Sequence, residues 1–197
     1  MAQPLILAST SSFRNELLRR LQIPFAVKGP HIDESPLSGE HPEATALRLA
    51  QAKAQAVAEQ TAAQFPRALI IGSDQVAACG EQRFGKPGTR ENAQQQLRYM
   101  RNKEIIFHTG LCLLNSATGQ VQRQCVPTHV GFRDLTDAEI DAYLDKEDAL
   151  NCAGSAKSEA LGISLLRYQR GDDPTALIGL PLIALCDMLR HAGVAMP

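Results

Sequence analysis

Apolar and polar positions along the chain alternate between two periods, one suited to strands and one to helices. Leu5, Ile6, Leu7 and Ala8 form a short apolar run that predicts a strand. The hydroxyl cluster Ser9-Thr10-Ser11-Ser12 follows, and Leu17, Leu18 and Leu21 then recur at helical spacing. The hydroxyls therefore sit at a helix N-terminus. Pro24-Phe25-Ala26-Val27 predicts a second strand, and residues 30–42 a polar loop. From Pro42 to about Phe65 the apolar positions Leu47, Ala50, Ala54 and Val57 predict a helix with Pro42 in its first turn. Ala68-Leu69-Ile70-Ile71-Gly72 is continuously apolar, the pattern of a buried central strand.

Residues 76–84 predict a hairpin turning near Gly80, and residues 89–100 a helix. Two long strands are expected at 104–114 and 121–132, joined by Asn115-Ser116-Ala117-Thr118-Gly119. Thr136 with Glu139 three residues later is a capping box for a helix to Leu144. A strand at 162–168 and a helix at 181–191 close the chain. There is no internal repeat or linker. The expectation is one α/β domain over residues 1–197, with a long, twisted mixed sheet flanked by helices.

Composition narrows the class without naming a function. Hydrophobic residues make up 44% and charged residues 21%, ordinary globular values. The formal net charge of −1 gives no bulk attraction to nucleic acid or an anionic membrane, so any phosphate site must be a local cluster of cations. The five cysteines (Cys79, Cys112, Cys125, Cys152 and Cys186) are odd in number and lack C-x-x-C spacing, which points to buried reduced thiols. No signal-peptide pattern or membrane-length apolar run is present. A cytoplasmic location is expected, with no nucleic-acid or membrane partner.

Several clusters could carry chemistry. Ser9, Ser11 and Arg14 lie between a strand and a helix, where hydroxyls, free N–H groups and a guanidinium would hold an anion. A plain N-cap with a surface Arg fits the same residues. Asp33-Glu34 and Lys53 are each consistent with solvated surface when taken alone. Asp74 follows the buried apolar run directly, and a desolvated carboxylate needs partners. Strand carboxyl ends face the ligand crevice in open α/β sheets, which makes Asp74 the leading catalytic candidate; a turn residue is the plainer alternative. Lys86 stands on a rigid Gly85-Lys86-Pro87 turn. Small residues around Gly154 frame Lys157 and Glu159, as a close backbone approach to a ligand would require.

The order of these clusters is more specific than any one of them. Leu-Ala-Ser-x-Ser-x-x-Arg near the start, Asp-Glu at 33–34, Arg-Leu-Ala-x-x-Lys-Ala at 48–54 and Gly-Ser-Asp at 72–74 come first. Gly-Lys-Pro at 85–87, His-Thr-Gly at 108–110, Ala-Gly-Ser at 153–155 and Gly-Leu-Pro at 179–181 follow. Together they resemble the Maf family of nucleoside triphosphate pyrophosphatases over nearly the whole chain. The resemblance implies an inosine triphosphate pyrophosphatase-like fold, two lobes with the nucleotide in the cleft between them. It implies hydrolysis of the α–β phosphate bond with a divalent metal, Mg²⁺ or Mn²⁺. Ser9, Arg14, Lys53 and Lys86 would then hold phosphates, Glu34 and Asp74 would lie at the metal, and Asp74 would accept the proton from water. A homodimer is compatible with the family.

Three positions bear on the base. The dTTP- and UTP-preferring branch carries a second Arg at the place of Phe13, Thr at that of Gln75 and Gln at that of Glu159. Here all three differ, and the chain is similar instead to the branch assigned to 7-methyl-GTP. An aromatic face attracts the cationic 7-methylguanine ring, and a carboxylate can accept its Watson–Crick N–H groups. Phe13 as a core residue and Glu159 as a surface acid are the plainer alternatives. A dTTP, UTP or inosine triphosphate pyrophosphatase, or a nucleotide-sensing regulator of septum formation, remain as other readings of the same motifs. Gly often follows the Glu or Gln in this family; here Ala160 does, which is tolerated unless φ must be positive.

Overall fold

A computed structural model describes residues 3–197. Its frame is a seven-stranded mixed sheet. In chain order the elements are β1 (Leu5–Ala8), α1 (Ser12–Arg19), β2 (Phe25–Lys28), α2 (Pro42–Thr61), β3 (Leu69–Cys79), β4 (Gln82–Phe84) and α3 (Arg90–Met100). Then come β5 (Glu104–Asn115), β6 (Val121–Phe132), α4 (Asp137–Leu144), β7 (Leu166–Arg170) and α5 (Leu182–His191). The strand order is β2-β1-β3-β5-β6-β7, with β4 on β3. β1 is parallel to both β2 and β3, as a strand–helix–strand connection requires, and the other pairs are antiparallel.

One difference from the sequence reading matters for the site. The apolar run and the first limb of the expected hairpin are a single 11-residue strand, β3. Asp74 lies inside that strand, not after it. β1 covers β3 from Leu5↔Leu69 only as far as the pair Ala8↔Gly72. β4 joins the same edge only from Ala77↔Phe84. Residues 73–76 are left without a neighbour on that edge, and the chain leaves β1 and β4 on either side of the gap. The expected strand at 162–168 also begins later: residues 161–165 form a 3₁₀ turn and β7 starts at Leu166.

Three apolar clusters pack the two ends of the sheet. At one end, α1 and α5 bury Leu17, Leu18, Leu185 and Leu189 against Leu7, Ile71 and Leu113. The opposite face of that end meets α2 through Ala50, Ala54 and Val57. At the other end, Leu97 and Met100 of α3 and Ile140 and Tyr143 of α4 pack on Phe107, Val130 and Phe132. β3, β5 and β6 run through both ends, so the sheet carries two lobes. The cleft between them opens at the gap in β3.

The expected capping box is present: the Thr136 side chain accepts from the Glu139 N–H, and Glu139 accepts from the Thr136 N–H. All five cysteines are free, but only Cys112 is fully buried and the other four are half-buried. Burial pushes the Cys112 thiol up to about 12, which makes it a poor nucleophile. No helix among the described residues is long and apolar enough to cross a membrane.

Candidate active site

α2 lies unusually close to the sheet. A Cβ on Gly72 would stand 2.0 Å from the Ala50 carbonyl oxygen, and one on Gly110 would stand 2.2 Å from that of Ala46. Only glycine permits this approach. The helix turns Thr45, Leu49 and Lys53, four residues apart, along one stripe onto the cleft. Lys53 is 5% exposed, far from the solvated helix face that its surroundings in sequence suggest.

The Lys53 Nζ donates to Asp74 Oδ1 at 2.6 Å and pairs with Glu34 Oε1 at 2.9 Å. One ammonium thus gathers two carboxylates from two separate segments. Asp74 is nearly buried, whereas the Glu34 side chain is 58% exposed. Burial pushes the Asp74 carboxyl above the usual carboxylate range, against the opposing pull of Lys53 and then Arg14. Asp33 does not join this cluster; it is exposed and accepts from the Ser35 N–H.

Arg14 enters from the first turn of α1. Ser11 caps that helix by accepting from the Arg14 N–H, and Ser9 accepts from the Ser11 N–H. The Arg14 Nε donates to the Gly179 carbonyl at 2.8 Å, which also accepts from Ser73 Oγ at 2.8 Å. Gly179 has φ +117°, and a Cβ there would come within 3.3 Å of the guanidinium. Desolvation by burial draws the Arg14 guanidinium below its ordinary value, countered by Asp74 and Glu34. The guanidinium remains charged. Its terminal nitrogens donate to no protein acceptor among the described residues.

These groups line a cleft of about 780 Å³. Lys86 lines it from the turn after β4, exposed and without an ion-pair partner among the described residues. Phe13, Gln75 and Glu159 also line it. Phe13 is half-buried on α1, and the Lys157 ammonium lies 5.8 Å from its ring centre. Glu159 is exposed on a turn of the facing lobe. Gln75 is committed to the fold: its amide N–H groups donate at 3.0 Å to Thr109 Oγ1 and to the carbonyls of Ala176 and Leu177. The cleft therefore collects all nine residues given a catalytic, phosphate, metal or base role from the sequence.

A family model described as "Maf-like protein" matches residues 4–192. The chain belongs to the Maf family. A protein from Methylobacillus flagellatus named 7-methyl-GTP pyrophosphatase is 58% identical over 191 residues, covering 97% of each chain. One from Cupriavidus metallidurans with the same name is 57% identical, covering 96% of this chain and 93% of its own. One from Burkholderia thailandensis, again so named, is 58% identical over 96% and 87%. A solved structure from Mycobacterium abscessus, titled nucleoside-triphosphatase / dITP/XTP pyrophosphatase, covers 96% of this chain and 98% of its own at 16% identity, with a TM-score of 0.45.

In this Maf chain the glycines of the quoted motifs have structural duties. Gly72 and Gly110 seat α2, and Gly179 receives Arg14. Sequence reasoning missed a second tier. Arg48 grips Glu40 through two bonds of 2.7 and 2.9 Å and reaches the Ser35 carbonyl. Arg83 of β4 donates to Thr45 Oγ1 and to the Glu40 carbonyl, tying the loop before α2 to the other wall of the cleft. The stripe Thr45–Leu49–Lys53 was readable from helical spacing. Arg83 was not, because a three-residue strand carries no usable phase. Ala160 has φ −136°, so the common glycine is not needed there.

Proposed function

We propose that this chain hydrolyses the α–β phosphate bond of 7-methyl-GTP, releasing 7-methyl-GMP and pyrophosphate. The observation that carries the reading is one cleft lined by two chemically distinct groups of residues. Asp74, Glu34, Lys53 and Arg14 form its charged cluster, and Phe13 and Glu159 line the same cleft. The shared name of relatives at 57–58% identity over nearly their whole length supports the same substrate.

In this reading Arg14 and Lys86 grip the leaving pyrophosphate, with Ser9 and the α1 N-terminus beside it. Charge grows on that group as the bond breaks, so cations there favour the transition state over the substrate. Asp74 takes the proton from water as the water oxygen attacks the α-phosphorus. The electron pair of the broken bond stays on the pyrophosphate. A base whose burial has raised its pKa holds that proton better than an ordinary Asp. Lys53 keeps the Asp74 and Glu34 carboxylates together despite their like charge.

The donor set fits a divalent cation, Mg²⁺ or Mn²⁺. Glu34 and Asp74 would hold it, two carboxylates being enough where phosphate oxygens and water complete the shell. Among the described residues no group of three or more acidic, His or Cys side chains forms a self-sufficient metal cage. When bound, the ion would supply Lewis-acid polarisation of the phosphate oxygens. The two carboxylates and the two cations Lys53 and Arg14 cancel in charge, so a metal would leave the site positive for its polyanionic substrate. The cytoplasm is the setting we assign.

Product analysis tests the bond cleaved. With Mg²⁺, 7-methyl-GMP and pyrophosphate are expected in equal amounts, and chelation should stop both. Release of 7-methyl-GDP and inorganic phosphate would overturn the assignment.

A further inference from the structure

Glu159 reaches the cleft on a turn that has no regular secondary structure to hold it, so something else must fix its position. Tyr143 in the last turn of α4 and Glu147 just beyond that helix do so. The Glu147 side chain, 12% exposed, uses both of its oxygens on this turn. Oε1 pairs with Lys157 Nζ at 2.8 Å, and Oε2 accepts from the Leu161 N–H at 3.1 Å. Tyr143 Oη accepts from the Lys157 N–H at 3.1 Å. The turn is thus clamped two residues before and two residues after Glu159. It is also closed on itself: the N–H groups of Ala160 and Gly162 donate to the Lys157 carbonyl. A Cβ at Gly162 would fall 2.5 Å from the Lys157 nitrogen. Glu147 does not line the cleft, so it touches no substrate from this position.

The clamp extends across the cleft. The ammonium that Glu147 holds is the one that faces the Phe13 ring at 5.8 Å. A free ammonium beside that ring would repel a cationic base, whereas one paired with a half-buried carboxylate is largely neutralised. One carboxylate therefore positions the acid that reads the base and offsets the charge beside the ring on which the base stacks.

We infer that Glu147 is a positioning residue for base selection, acting through Lys157 and the Leu161 N–H on Glu159 and Phe13. The inference rests on the reading that Glu159 and Phe13 recognise 7-methylguanine. Its signature is a change in base preference with the phosphate chemistry intact.

The test compares kcat/KM for 7-methyl-GTP with that for UTP in full-length protein with Mg²⁺. Glu147→Gln keeps the size of the side chain but cannot satisfy both partners as an anion. It should lower the 7-methyl-GTP:UTP ratio about tenfold, chiefly through KM, because coupled contacts of this kind carry that scale of energy. UTP hydrolysis should stay within about twofold of the parent. In a Glu159→Gln background the same substitution should move the ratio less, because only the part carried through Lys157 on Phe13 is left. Equal loss on both substrates overturns the inference, as does an undiminished effect in the Glu159→Gln background. Lys157→Met keeps the stem against Phe13 and removes the ammonium; if Glu147→Gln does not fold, an unchanged ratio in Lys157→Met overturns the inference instead. A Glu159→Gln single variant with the parental ratio would show a different failure, that of the base reading itself.

Discussion

At the residue scale, the decisive group is Asp74, and its environment makes a claim about pH. Burial raises its pKa, while Lys53 and Arg14 restrain the rise. As a base it must be ionised, so kcat/KM should fall as pH drops through that raised pKa. Lys53→Met removes the nearest cation and should move this acid limb to still higher pH. An acid limb that stays put in pH–rate profiles of Lys53→Met would show that another group is the base. Asp74→Asn should lower kcat about 10²–10⁴-fold, the usual contribution of a positioned base. The same residue illustrates what sequence could reach. Asp74 was legible because a carboxylate beside an apolar run must serve something. Its depth inside β3 was not, because nothing in the one-dimensional pattern marks where β1 and β4 stop covering the strand.

At the element scale, α2 is the part whose seating the site depends on. Gly72→Ala would drive a methyl into the Ala50 carbonyl, where the contact would be 2.0 Å. The helix must then lift, at a cost of about 2–3 kcal/mol in unfolding free energy by overpacking. Lys53 would leave Asp74, so activity should fall together with stability. Denaturant unfolding alongside turnover checks this, and a stable, fully active Gly72→Ala would refute the seating argument. The loop before α2 has its own pH signature. Hydrogen bonds from Arg48 hold the Glu40 carboxyl down at about 2, against an ordinary Glu near 4.5. A depressed carboxyl stabilises the fold above its unfolded pKa and loses that contribution as pH falls toward the folded value. Protease cleavage in residues 35–41 should therefore rise between about pH 4.5 and 2. Glu40→Gln should be cleaved readily at neutral pH; parental resistance there would contradict the role given to this pair.

At the scale of the whole molecule, the mixed sheet, the helices and many of the boundaries were legible from periodicity, caps and turn residues. The clearest error, at β3, came from reading Gly72-Ser73-Asp74 as the end of a strand. Glycine there serves the packing of α2, and a break in the apolar pattern marks the cleft rather than a turn. The convergence of Ser9, Phe13, Arg14, Glu34, Lys53, Asp74, Lys86 and Glu159 on one cleft required the fold, because their separations in sequence exceed any local pattern. Family resemblance anticipated the set; the topology explains it, since loops from both lobes meet at the stretch of β3 left open between β1 and β4. Arg83 and Glu147 stayed invisible, because each acts through long-range contacts that no motif records.

The central claim is a cleft that hydrolyses a triphosphate and selects its base. The most direct measurement is kcat/KM for pyrophosphate release from 7-methyl-GTP, GTP, dTTP and UTP under one set of conditions with Mg²⁺. The account predicts that 7-methyl-GTP leads dTTP and UTP by at least about tenfold, the scale of a single cation–π and carboxylate contact. Equal or better turnover of dTTP or UTP would contradict it.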